Sequence, residues 1–380
     1  MRPFTFNPGP RLLAGPDQGS TLAEKLPSGP CLLVTDQDLV RFGLTDAYRD
    51  AIGKERELIV FDAVEADPSK ETLLAATDAG RAADVASVVG FGGGSPMDVA
   101  KLAAYLLGSG DELDEIWGVG VAKGRRLPLA LVPTTAGTGS EATPISVITC
   151  EGGVKLAVNS APLIADWAVL DASLTLGLPR HVTAATGIDA MVHAVEAYTS
   201  ARLKNPLSDA LAREALRLLA ASLPTVMEQP RNLEARSAML LGAHLAGLAF
   251  SNAPVAGVHA LAYPLGGLHH LPHGLSNALM LRHVLAHNLE AAREHYAELA
   301  EIVEPDCAGQ GSQARAALLI ERLDQLARDT GLALRLRDHG IGLEEAPVLA
   351  KEAMRQTRLL VNNPCEISEG DAQRLYEAAW

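Results

Sequence analysis

Hydrophobic positions fall into two textures along this chain. In the first half, brief apolar blocks alternate with amphipathic stretches: "CLLVTD" (31–36), "ELIVFDAV" (57–64), "ASVVGFGGGS" (86–95) and "LPLALVPTT" (127–135). Each block is short, rich in Val or Leu and closed by Gly, Pro, Asp or Thr, the pattern of a strand buried on both faces. Between them, residues 69–84 and 95–108 carry apolar positions at helical spacing. That alternation predicts a parallel sheet with helices on both faces. From about residue 180 strand signals nearly vanish, and 206–223, 233–250, 313–331 and 368–380 all read as helices. The pattern therefore predicts an α/β domain over 1–180 and an all-helical domain over 181–380. The break falls in "LGLPRHVTAA" (176–185), where Pro179 interrupts both periodicities.

Two loops in the first half carry candidate chemistry. "GFGGGSPMDVAK" (90–101) follows a predicted strand and opens a predicted helix. Consecutive glycines let a backbone approach a phosphate closely, and the N–H groups of the first helical turn point toward it. Ser95 is read as the helix cap and Pro96 as a first-turn residue. The spacing departs from GxGxxG, so a plain strand-to-helix turn stays open as the alternative. The second loop, "PTTAGTGSEAT" (133–143), sets Thr134, Thr135, Thr138, Ser140 and Thr143 around two glycines. Hydroxyls and open amides at this density suit a pyrophosphate, ribose or carboxamide. Open α/β sheets bind ligands at the carboxyl ends of their strands, so the two loops together predict a dinucleotide site. Asp36, at the end of the first strong strand, could accept hydrogen bonds from an adenosine ribose and would repel the 2′-phosphate of NADP, which favours NAD; a turn or helix cap is its other reading.

In the second half, "TGIDAMVHAVEAY" (186–198) puts Asp189 and His193 four residues apart, on one face of a helix. "GVHALAYPLGGLHHLPHG" (257–274) supplies His259 and His273. One carboxylate and three imidazoles suit Zn2+ or Fe2+ better than magnesium, which prefers oxygen. The alternative is a set of core or capping histidines that never converge. An ion with a vacant position in such a set would act as a Lewis acid on a bound oxygen.

Composition narrows the field further. A formal charge of −14 disfavours a nucleic-acid or anionic-membrane partner. No apolar run reaches the roughly 18 residues of a membrane span, and the N-terminus lacks the pattern of an export signal. The four cysteines, Cys31, Cys150, Cys307 and Cys365, are dispersed without a CxxC pair, which fits a reducing cytoplasm.

Taken together, "VTDQDL" (34–39), "GFGGGSPMDVAK", "PTTAGTGSEAT", "VLDASLTLGLP" (169–179), "ATGIDAMVHAVEAYTS" (185–200), "NPLSDALAREAL" (205–216), "GVHALAYPLGGLHHLPHGLSNA" (257–278) and the tail from Val361 make the chain resemble the iron-containing, group III alcohol dehydrogenases nearly end to end. The resemblance implies a Rossmann-like domain followed by a helical domain, the dehydroquinate synthase-like fold, with the active site in the cleft between them. It implies Asp189, His193, His259 and His273 as metal ligands. Carried over in the same way, Gly93, Gly94, Ser95 and Asp98 form the phosphate loop, Thr134, Thr135, Thr138 and Thr143 the second cofactor loop, and Asp36, Lys155 and Leu174 further cofactor contacts. The implied activity is hydride transfer between NAD and a small alcohol, aldehyde or ketone, in a homodimer or higher homo-oligomer. One departure stands out: where many members place a second histidine four residues after the third ligand, this chain has Tyr263, a proton relay or a pocket wall. Phe250 and Asn252 are expected beside it, and His270 is expected just behind the ligands. Hydroxyacid–oxoacid transhydrogenase-like and maleylacetate reductase-like chemistry remain the nearest alternatives; a zinc hydrolase or a non-catalytic nucleotide binder is more remote.

Overall fold

The computed structural model describes residues 3–380. The chain divides into two compact units, Pro8–Gly177 and Leu178–Trp380, the second joined by residues 3–7.

Pro8–Gly177 contains nine strands: β1 (Arg11–Ala14), β2 (Cys31–Val34), β3 (Leu58–Phe61), β4 (Ser87–Gly92), β5 (Gly118–Val119), β6 (Leu129–Pro133), β7 (Ile145–Thr149), β8 (Lys155–Asn159) and β9 (Trp167–Leu170). Six form a parallel sheet in the order β1-β9-β6-β4-β2-β3. The strands β2, β4 and β6 are buried at every position. Leu32, Val34, Val88 and Leu131 face one apolar layer with Met97 and Leu102. Cys31, Leu33, Val89 and Val132 face the other, with Leu22, Tyr48 and Ile52. Cover on both faces is why these strands read as unbroken apolar runs. The remaining strands form a small sheet, β5-β8-β7, in which β7 and β8 are antiparallel.

The glycine loop differs in detail from the sequence reading. Strand β4 ends at Gly92 and the helix Gly94–Ser109 begins two residues later, with Gly93 as its cap and no side chain capping it. Ser95 thus lies inside the first turn instead of at the cap. Gly92 adopts φ +147°, and a β-carbon there would meet Pro96 at 2.7 Å, so only glycine fits this turn. Because β4 and β6 are neighbours in register, Gly92 opposite Pro133, the glycine and threonine loops leave the sheet side by side.

In Leu178–Trp380 the described residues form helices and no strand. From Gly187 to Thr199 every residue of the Arg180–Thr199 helix is buried. Asp189, His193 and Glu196 are among them, and buried polar groups of this kind demand partners. Among the described residues no single helix is long and apolar enough to cross a membrane. All four cysteines are free thiols.

Candidate metal centre and dinucleotide loops

Three helices build one polar cluster inside Leu178–Trp380. The Arg180–Thr199 helix presents Asp189 and His193 one turn apart, the Gly257–His269 helix carries His259 near its start, and the His273–Asn288 helix begins at His273. One donor atom from each of these four residues lies within 4.8 Å of all the others. His259 Nε2 is 3.9 Å and His273 Nε2 3.8 Å from Asp189 Oδ1. The His193 ring stacks between Phe250 and His259, with centroids at 4.4 and 4.7 Å. Burial pushes the Asp189 carboxyl upward, but the imidazoles of His193, His273 and His259 and the amide of Asn277 outweigh it and hold the group below the usual carboxylate range. Asp189, His193 and His259 are sealed from solvent, whereas the His273 side chain is 40% exposed and marks the open side.

Glu196 supplies the support that a metal ligand needs. It sits seven residues after Asp189 on the same helix, and its Oε2 lies 2.7 Å from His259 Nδ1. The same carboxylate accepts the backbone N–H groups of Ala256 and Val258, at 2.9 and 2.6 Å, and so anchors the start of the helix carrying His259. With Nδ1–H donated to Glu196, the Nε2 lone pair is turned toward Asp189 and His273, the tautomer that binds a cation. On this donor chemistry the residues fit a divalent metal ion. Glu196→Gln keeps the volume but exchanges one acceptor for a donor. It is expected to weaken metal retention by about 10- to 100-fold, read as metal content after dialysis against graded chelator.

Gly274 fixes the other side. A β-carbon there would stand 2.5 Å from the Ala185 carbonyl oxygen, so glycine lets the start of the His273 helix lie directly against the helix of Asp189 and His193. Gly274→Ala is expected to push the two helices apart and destabilise the protein by roughly 1–3 kcal/mol, with a matching loss of bound metal; urea unfolding and metal analysis measure both.

The neighbours of the cluster are placed as follows. The Tyr263 ring tilts toward His273 at 6.0 Å between centroids. Asn252, expected on the pocket wall, exchanges hydrogen bonds with the Asn7 backbone and donates to Leu248 O. His270 is exposed at the left-handed end of its helix, and His269 faces Glu345 at 3.2 Å.

Within Pro8–Gly177 the two loops face each other. Positions Gly94 and Thr138 approach so closely that a β-carbon on Gly94 would lie 3.2 Å from the threonine methyl. Thr134 N–H donates to Gly92 O at 2.9 Å. A buried cation ties the loops together: Lys101, with 0% exposure, reaches Ile145 O at 2.6 Å, Ser140 Oγ at 2.7 Å, Thr143 Oγ1 at 3.3 Å and Asp98 Oδ1 at 3.5 Å. Asp98 accepts from Ser140 Oγ at 2.6 Å and Val147 N–H at 2.9 Å. Burial draws the lysine below its usual range against the pull of Asp98 and Glu141. Asp98 and Thr143 therefore brace the loops, while Gly93, Gly94, Ser95, Thr135 and Thr138 keep partial exposure around an uncapped 16-residue helix, the setting that accepts a phosphate. Asp36 Oδ1 caps a short helix through Leu39 N–H at 2.9 Å. Lys155 pairs with Asp67 at 2.6 Å, and Leu174 packs in the core.

Glu196, Lys101 and Asn277 are the polar residues that the sequence reading passed over. Glu196 and Asn277 carried a signal, each falling on the same helix face as a named ligand; Lys101 carried none, because lysine in a helix ordinarily faces solvent.

Comparison with known proteins gives the family. The model of the iron-containing alcohol dehydrogenases matches residues 9–172, and that of the C-terminal part of the Fe-containing alcohol dehydrogenase family matches residues 183–380. Long-chain-alcohol dehydrogenase 1 of Geobacillus thermodenitrificans is 39% identical over 96% of this chain and 93% of its own. Sulfoacetaldehyde reductase of Bilophila wadsworthia is 34% identical over 93% and 92%. The crystal structure of a 1,3-propanediol oxidoreductase superposes with a TM-score of 0.96 at 34% identity, covering 100% of both chains. A sulfoacetaldehyde reductase from Bifidobacterium kashiwanohense, solved in complex with NAD+, superposes with a TM-score of 0.88 at 27% identity, covering 100% of this chain and 99% of that one.

Proposed function

The chain belongs to the iron-containing alcohol dehydrogenase family, and on that premise we propose that it interconverts small alcohols with aldehydes or ketones, using one divalent metal ion and NAD. The convergence of Asp189, His193, His259 and His273 carries this reading. The proposed ion is Fe2+ or Zn2+, since one oxygen and three nitrogens suit either, and supply decides between them. When bound, it contributes Lewis acidity toward the substrate oxygen.

The chain's own residues do the rest. Glu196 holds the His259 tautomer, Phe250 closes the His193 side, and the exposed flank at His273 admits substrate past Tyr263. Tyr263 is proposed as pocket wall. The loops around Gly93, Gly94, Ser95, Thr134, Thr135 and Thr138 are proposed to hold the dinucleotide, with Asp98, Thr143 and Lys101 tying them together at a fixed spacing. Lys155, Leu174 and Asp36 stay within the proposed cofactor site, and Asp36 favours NAD over NADP through its charge. The NAD+ complex of the Bifidobacterium relative supports the same preference. Cytoplasmic residence and homo-oligomeric assembly complete the proposal; the free cysteines support the first.

The test is a screen of protein reloaded separately with Fe2+ and Zn2+ against straight-chain alcohols, 1,3-propanediol, sulfoacetaldehyde and other aldehydes, with NAD(H) and NADP(H). Metal-dependent aldehyde reduction by NADH is expected. A hydroxy acid paired with an oxo acid, without added cofactor, covers transhydrogenation. Turnover equal with and without metal overturns the proposal and favours maleylacetate reductase-like chemistry.

A further inference from the structure

Asn277 lies one turn beyond His273 on the His273–Asn288 helix and is fully buried. Its side-chain nitrogen is 2.6 Å from Asp189 Oδ1, 3.2 Å from His259 Nε2 and 3.3 Å from His273 Nε2. A primary amide nitrogen has two hydrogens to give, and here the Asp189 carboxylate and the His259 Nε2 left bare by Glu196 accept at it, with a ring nitrogen of His273 beside them. The amide nitrogen thus occupies a place on which several lone pairs converge. Its other end is in the opposite condition: Asn277 Oδ1 is buried and has no hydrogen-bond partner among the described residues. A buried amide oxygen without a partner is uncommon and calls for an explanation.

The two observations have one physical cause if the amide serves a centre that is sometimes charged. A half-turn of the carboxamide exchanges nitrogen and oxygen while the rest of the residue stays in place. With no cation nearby, that exchange would set two oxygens against each other where Nδ2 now meets Asp189, so the nitrogen faces inward. A divalent cation would reverse the preference. Asp189, His259 and His273 would then give their lone pairs to the ion, the N–H groups would be left without acceptors, and the amide oxygen would be attracted inward.

We propose that Asn277 is a further member of this centre: its nitrogen holds Asp189, His259 and His273 in place before loading, and its oxygen turns toward the cation once one is held. This rests on the metal-centre reading above. Asn277 is accordingly a positioning residue for the empty site and a retaining residue for the filled one.

Two near-isosteric variants separate these roles, with Zn2+ as probe and a chromogenic chelator as competitor. Asn277→Asp offers oxygen at both positions and no N–H; Asn277→Leu offers neither. The leucine variant is expected to bind Zn2+ about tenfold or more weakly than wild type, in the range seen when a ligand's outer partners are removed. The aspartate variant is expected to bind at least as tightly as wild type. An aspartate variant weakened as much as leucine, or a leucine variant binding like wild type, overturns the proposal. Should the leucine variant fail to fold, the aspartate variant decides alone: Zn2+ binding about tenfold or more weaker than wild type overturns the proposal. Failure of the wild type itself to take up Zn2+ would instead remove the metal-centre reading.

Discussion

Asp189→Ala is expected to leave the protein without stoichiometric metal and to lower alcohol turnover by at least about a thousandfold, the equivalent of roughly 4 kcal/mol of lost transition-state stabilisation. Asp189 is the one anionic residue among the four, and it lies within 4 Å of the Nε2 atoms of both His259 and His273. Removing it leaves neutral imidazoles to hold a dication inside a buried site, without the charge that offsets desolvation. NADH affinity is expected to stay within about threefold of wild type, because Asp189 lies outside the Pro8–Gly177 unit that carries the loops. Metal analysis, turnover and NADH fluorescence titration check the three parts. Wild-type turnover in the metal-depleted variant would contradict the assignment of Asp189.

Lys101→Met is expected to show the converse, with metal content retained and NADH affinity reduced at least about tenfold. The ammonium satisfies Ser140, Thr143, Ile145 and Asp98 from within the protein, so methionine fills the space but leaves Asp98 with its charge and a buried set of acceptors. Breaking a buried ion pair from one side typically costs about 3–5 kcal/mol. Ser140 and Asp98 still bond to each other, which places the expected destabilisation at the lower end of that range, about 3 kcal/mol. Denaturant unfolding together with NADH titration measures it. Unaltered NADH binding in a stably folded variant would restrict Lys101 to a packing role.

How much of this was legible in the sequence follows from what each segment is surrounded by. Strands β2, β3, β4 and β6 were visible because three of them are covered on both faces and read as apolar runs. Strand β1 was not: "RLLA" is four residues long, lies at the sheet edge and is exposed at three positions. Strands β7 and β8 lie in a small separate sheet; "ISVIT" alternates buried and half-buried positions, and its Ser and Thr resemble the preceding loop. The Asp189–His193 pair was legible through helical spacing, but no rule of local periodicity brings it to His259 and His273. That meeting depends on how three helices pack, and in particular on the missing side chain at Gly274. Ser95 was misplaced as a cap because a serine before proline imitates one, while the chain turns two residues earlier through glycines that need no cap.

The donors of the cluster come from helices well separated along the chain, with Asp189 and His193 on one and His259 and His273 on two later ones. A denatured chain has no equivalent grouping, so an ion held there engages the native state alone and its binding energy becomes conformational stability. At a free-ion concentration 100 times the dissociation constant the gain is about 2.7 kcal/mol. Melting temperature should therefore climb with free Zn2+ and fall in chelator, so that the ion serves as a structural clasp between three helices.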